Sequence, residues 1–202
     1  MSDHLPTAAA VDLTPLARRV AGLLDGVAEE CFAAPTPCAR YRVADLLRHL
    51  LGLTVAFRDA ARKAFGPTTQ AGPADPDAPF PAVTGDWRGR LRYQLDELAA
   101  AWREPGAWQG ETQAGGVTLP AGLAGRFALN ELLLHGWDLA RATGQPFECD
   151  EESAGVALAL LSGLDEAARA RAGFGPALGI PAGATPLDRV VALGGRRPGW
   201  TP

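Results

Sequence analysis

Residues 130–147 read NELLLHGWDLARATGQPF, and this stretch decides the fold class. Its apolar residues recur at helical rather than strand spacing. Pro120 suits a helix start and Gly144 a stop, so the spacing predicts one long helix over about 120–143. Glu131 and His135 stand four apart and Asp138 three further on. All three therefore share one helical face, with Cβ atoms about 5–6 Å apart. Such a polar face in a leucine-rich helix is costly to bury without compensation. It can be the solvent face of an amphipathic helix, a core histidine satisfied by Asp138, or part of a metal site.

The rest of the chain reads as helices joined by Pro/Gly-rich connections. A first helix is expected over about 15–32, capped by Thr14 and started by Pro15, with Leu16, Val20, Leu23, Leu24 and Val27 in its stripe. A second follows over about 43–65, carrying Leu46, Leu50, Leu53 and Phe57. Residues 66–83 read as an irregular Pro-rich loop. A third helix spans about 84–103, with Trp87, Leu91, Leu95, Leu98 and Trp102. Residues 105–119 suit a turn or small hairpin. A fifth helix is expected over about 150–172 from an Asp150 cap, and a short one over 186–194 from Thr185. The fold class is all-α: an antiparallel helical bundle with an extra helix and an irregular C-terminal tail. Residues 1–202 form one domain, with the bundle over about 12–172 and the tail over 173–202.

Composition narrows the function. Net charge is −4 and the isoelectric point is near 5.4, so no basic surface calls for nucleic acid. No apolar run reaches the eighteen or so residues of a membrane helix, and the N-terminus lacks a cationic segment before an apolar one. Cys31, Cys38 and Cys149 show no CxxC spacing and read as reduced thiols, Cys38 as structural, of a cytoplasmic protein. There is no GxGxxG, Walker loop, GxSxG or HExxH motif. Of the basic residues only Lys63 is lysine, while Ala, Gly and Arg abound, as in a GC-rich genome. Arg126 and Arg141 flank the polar face and could hold an anionic substrate. Trp87, Trp102, Trp108 and Trp137 read as core or cleft lining. The Arg196–Arg197 pair reads as solvated tail.

Histidine placement is the sharpest signal. His4 lies in the terminus and reads as solvated. His49 sits roughly 9 Å into the second helix, and His135 roughly 12 Å before the end of the 120–143 helix. If these helices run antiparallel, both imidazoles fall at nearly one level; if parallel, they lie roughly 14 Å apart. The antiparallel case follows from an up-down-down-up bundle with a long crossover, and a loop over 66–83 can stretch about 60 Å against roughly 33 Å of helix. His49, Glu131 and His135 could then converge as two imidazoles and a carboxylate. Such a set leaves positions open, as a catalytic zinc requires.

Three stretches carry a resemblance: PTPCARYRVADLLRHLLG over 35–52, the 130–147 segment, and FGPALGIPAGATPLDRVVALGGRRPGW over 174–200. The chain resembles the actinobacterial metal-binding branch of the DinB-like superfamily, and in it the N-terminal domain of mycothiol-dependent maleylpyruvate isomerase. The resemblance covers about residues 12–200 and implies an up-down-down-up four-helix bundle. It further implies a divalent metal, most often zinc, on His49, Glu131 and His135, with Asp138 as the additional catalytic residue orienting His135. By the same resemblance the site activates a low-molecular-weight thiol, mycothiol, toward an unidentified electrophile, in a transferase-like reaction. A homodimer is a compatible oligomeric state. The chain departs from the isomerase in having a short tail instead of a further C-terminal domain, so isomerase activity itself is not expected. Tyr41 and Gly136 stand where relatives carry Trp and a hydroxyl residue. The alternatives are a non-catalytic metal or small-molecule binding protein, and a zinc-dependent hydrolase.

Overall fold

A computed structural model of the chain describes residues 10–71, 83–180 and 182–202. The protein is mostly helical, with a single two-stranded sheet among the described residues. His4 and residues 72–82 of the expected Pro-rich loop lie outside the described residues.

Helix α1 (Thr14–Leu23) buries Leu16, Ala17, Val20 and Leu23. Thr14 does not cap it; Asp12 Oδ1 instead accepts from the Thr14 N–H at 2.9 Å. The helix stops earlier than its apolar spacing predicts, and the chain turns through two 3₁₀ turns, Leu24–Gly26 and Glu29–Cys31. The physical reason is tertiary. Arg88 donates to the Leu24 and Val27 carbonyls, satisfying groups that a longer helix would have paired itself.

Helix α2 (Val43–Arg62) buries Leu46, His49, Leu50 and Leu53 along one stripe, and it ends at Lys63 in the left-handed region, φ 55°. Asp45 accepts from the Arg42 N–H at 3.2 Å, one half of a capping box. Within the expected loop, Pro67–Gln70 forms a single-turn helix, α3. Helix α4 (Trp87–Arg103) starts from an Asp86 cap. The hairpin expected over 105–119 is present as β1 (Glu111–Ala114) and β2 (Val117–Pro120), antiparallel with Ala114 opposite Val117. Its turn, Gly115-Gly116, has positive φ at both positions, 60° and 78°, which glycine adopts without strain. Helix α5 (Ala121–Ala142) follows directly.

The expected fifth helix is two helices, α6 (Glu151–Ser162) and α7 (Glu166–Arg171). Asp165 caps α7, accepting from Ala168 N–H at 2.7 Å, so the chain re-nucleates after Gly163. Helix α8 (Pro186–Leu193), capped by Thr185, packs against α6.

The core forms where α1 and α2 each pack on both α4 and α5. Its contacts fix levels along the helices. On the α2–α4 side, Thr54 meets Gln94 and Trp102 Nε1 donates to the Phe57 carbonyl. The α4–α5 side is set by Trp102 and Trp108, which lie against Gly125. At the other end Gln145, just past α5, donates to the Leu23 carbonyl at the end of α1. Fully buried leucines such as Leu46, Leu47, Leu50, Leu91, Leu95 and Leu129 fill the space between. Each contributes on the order of 1.5–3 kcal/mol through its removal from water.

Candidate metal centre

Helices α2 and α5 bring His49, Glu131 and His135 together. His49 is carried inward by the stripe that also holds Leu46, Leu50 and Leu53. Glu131 and His135, one helical turn apart, point from α5 toward it. His49 Nε2 lies 3.1 Å from Glu131 Oε2, and His135 Nε2 lies 3.2 Å from the same oxygen. The imidazole centroids are 4.7 Å apart with planes at 83°. All three donor atoms fall within 4.8 Å of one another. Bond lengths of about 2.0–2.2 Å to nitrogen and oxygen would separate neighbouring donors by roughly 3.0–3.5 Å, so the set fits one divalent cation.

The electrostatics follow from burial and neighbours. Burial pushes the Glu131 carboxyl up, but the two imidazoles, His135 foremost, outweigh it and hold the carboxyl well below the usual carboxylate range. Burial likewise disfavours the charged form of His135, yet Glu131 on one side and Asp138 on the other leave it raised. For His49 burial wins despite Glu131, and it is lowered. Thus the imidazole between two carboxylates keeps a proton more readily than the one facing a single carboxylate.

Behind His135 stands a second layer. Its Nδ1 lies 3.0 Å from Asp138 Oδ2, the carboxylate–imidazole pairing that fixes a metal ligand's tautomer. Asp138 is fully buried and does not line the cavity. It is held in turn by Arg196, whose Nη2 and Nε reach its two oxygens at 2.9 and 3.3 Å. Burial would raise the Asp138 carboxyl, but Arg196 and then His135 overcome it, leaving it lowered. On the other side the Tyr41 ring stacks on His49, centroids 5.0 Å apart, with its hydroxyl 3.4 Å from Nδ1.

Arg196 corrects the sequence reading. It is 6% exposed, not solvated, and also donates to the Gly194 carbonyl. The available signal was a buried aspartate in need of a counter-charge. Arg141 binds the Trp200 carbonyl, and neither it nor Arg126 lines the cavity beside the triad. Nor does any tryptophan; Trp87, Trp102, Trp108 and Trp137 are buried. Cys38 does line the cavity, and burial raises its thiol. The solvent-face reading of α5 fails, because His135 and Asp138 are buried.

Fold and site together define a helical protein with a candidate His–Glu–His metal group, backed by an Asp–Arg pair and open to a cavity. The model of the mycothiol maleylpyruvate isomerase N-terminal domain matches residues 13–140, and the chain belongs to that family. It is also similar to two Mycobacterium tuberculosis proteins, "Uncharacterized protein MT0763" of strain CDC 1551 / Oshkosh and "Uncharacterized protein Rv0738" of strain ATCC 25618 / H37Rv. Each is 29% identical over 156 residues, covering 77% of this chain and 74% of the relative. No solved structure matches it. Among the described residues no helix is long and apolar enough to cross a membrane.

Proposed function

We propose that the protein is a cytoplasmic, metal-dependent enzyme of thiol chemistry, transferring a low-molecular-weight thiol, mycothiol, to an electrophile. The observation that carries this reading is the meeting of two imidazoles and a carboxylate in the lining of a cavity. Family membership supplies the thiol. The up-down-down-up four-helix bundle formed by α1, α2, α4 and α5 belongs to the same reading, supported by the contact levels: Trp102 beside Phe57, Gly125 beside Trp102, and Gln145 beside Leu23.

In this reading His49, Glu131 and His135 hold a divalent cation, and zinc suits their donors. When bound, the cation lowers the pKa of a coordinated thiol and supplies thiolate at neutral pH. The chain's own residues prepare the site. Asp138 accepts the His135 Nδ1 proton and leaves the Nε2 lone pair facing His49 and Glu131. Arg196 keeps Asp138 ionised in its buried setting. Tyr41 braces the His49 ring. Asp138 is thus a positioning residue, acting through His135. Its burial away from the cavity lining disfavours a hydrolase in which it serves as base.

Titrating mycothiol into the zinc-loaded protein tests the proposal by ultraviolet absorption. A thiolate band at neutral pH, absent from His135→Ala, is expected. No band in the loaded wild-type protein overturns it. A band without turnover across varied electrophiles would favour the non-catalytic binding protein.

A further inference from the structure

The cavity beside the triad measures about 590 Å³ and is directional. From α5, Leu123, Phe127, Glu131 and His135 line it, a run of i, i+4 steps down one helix face. Twelve residues at 1.5 Å each make a floor roughly 18 Å long, ionic at one end and apolar at the other. From α2, Gly52, Val55 and Ala56 form the wall beyond His49, their small side chains leaving the space open. The β-hairpin closes the far end with Ala114, Val117 and Leu119. Val117 is 58% exposed, an apolar side chain left on the rim.

Positive charge gathers at the ionic end. Arg40 lies with its guanidinium 6.0 Å from the Tyr41 ring centroid and Nη1 3.5 Å from the Gly173 carbonyl. Arg171 is two residues from that carbonyl, and both arginines line the cavity. Neither has an ion-pair partner among the described residues. Between the triad and the hairpin, α2 and α5 present only Leu, Phe, Val, Ala and Gly, while α3 adds Pro67 and the Thr68 hydroxyl. A sugar-bearing thiol buried there would leave hydroxyls without hydrogen-bond partners, which is unfavourable. That apolar stretch therefore suits an alkyl chain better than a polyol.

We propose that the cavity binds an elongated amphipathic anion of the medium-chain carboxylate class. Its chain lies along Phe127 and Leu123 toward the hairpin, and its anionic head sits beside Arg40 at the triad end. This binding goes beyond the thiol reading above and does not rest on it.

The test is calorimetric titration of the full chain, as purified and after chelation, with straight-chain carboxylates from hexanoate to dodecanoate. One molecule per chain should bind, with Kd falling about fourfold per added methylene until the cavity is filled. Decanol should bind more weakly than decanoate, and Arg40→Gln should abolish that difference while keeping the chain-length increment. Val117→Asp, at an exposed site that tolerates charge, and Leu123→Asp should both flatten the increment. Affinity independent of chain length, several molecules per chain, or an increment unchanged in both variants overturns the inference. An increment that survives chelation while mycothiol gives no thiolate band leaves this site standing and the thiol reading fallen. A thiolate band without carboxylate binding overturns this inference alone.

Discussion

Replacing Arg196 with methionine should be among the most disruptive changes available outside the three metal-type residues. The substitution keeps most of the aliphatic stem but removes both hydrogen bonds to Asp138, at 2.9 and 3.3 Å. Asp138 is fully buried and Arg196 only 6% exposed, so water cannot replace the lost partner. Breaking such a pair from one side costs about 3–5 kcal/mol. For a chain of this size that corresponds to a fall in Tm of roughly 6–20 °C. The pH dependence gives a second readout. In the wild-type protein Asp138 is lowered, so its stabilising contribution is present above its unfolded pKa of about 3.9 and fades as pH falls through the lower folded value. Without Arg196, burial is opposed by His135 alone, so the folded carboxyl lies higher than in the wild-type protein and less of its stabilising contribution remains once it is ionised. The gap between the chelated proteins should therefore be widest above neutrality and narrow toward pH 4. Removing both partners, Asp138→Leu with Arg196→Met, should recover much of the stability, yet leave metal affinity about 10–100-fold weaker because His135 has lost its anchor. Urea unfolding at several pH values measures all of this. A single Arg196→Met variant within about 0.5 kcal/mol of wild type would refute the reasoning, since ordinary surface substitutions fall in that range.

Other parts of the molecule give independent checks. Burial pushes the Cys149 thiol up to about 12, so alkylation at pH 8, followed by peptide mass spectrometry, should run on the order of a thousandfold slower than in denaturant; equal rates would contradict it. A Cβ at Gly125 would come 2.6 Å from the Trp108 ring and 2.8 Å from Trp102. Gly125→Ala should accordingly lose about 1–3 kcal/mol in urea unfolding, by overpacking. Metal affinity, followed by calorimetry, should weaken as pH falls because both histidines must be unprotonated to bind. Glu131 and Asp138 leave His135 raised against the effect of burial, so proton competition should begin above the ordinary histidine value of about 6.5.

The helices were legible wherever one apolar stripe met clear end signals, and the triad was legible because helical periodicity puts Glu131 beside His135 and a level argument brings His49 to them. What escaped depends on tertiary partners. Helix α1 ends at Leu23 because Arg88, far along the chain, takes the next carbonyls; no local residue encodes that. The break between α6 and α7 was encoded, in Gly163 followed by the capping Asp165, but the apolar spacing runs through it and hides it. Arg196 was missed because a paired arginine in a Gly/Pro-rich tail is ordinarily solvated. Only the cost of burying Asp138 on α5 pointed to a guanidinium from elsewhere. The cavity was invisible for a similar reason: Leu123 and Phe127 look like core residues until the small side chains opposite, Gly52 and Ala56, are seen to leave them uncovered.

The central claim is that His49, Glu131 and His135 are one cation site. Elemental analysis of the purified protein beside His49→Ala and His135→Ala, each reconstituted with zinc and desalted, tests it most directly. The account predicts about one equivalent of metal per wild-type chain and essentially none in either variant. A wild-type chain that retains no metal, or a variant that retains as much as wild type, would contradict it.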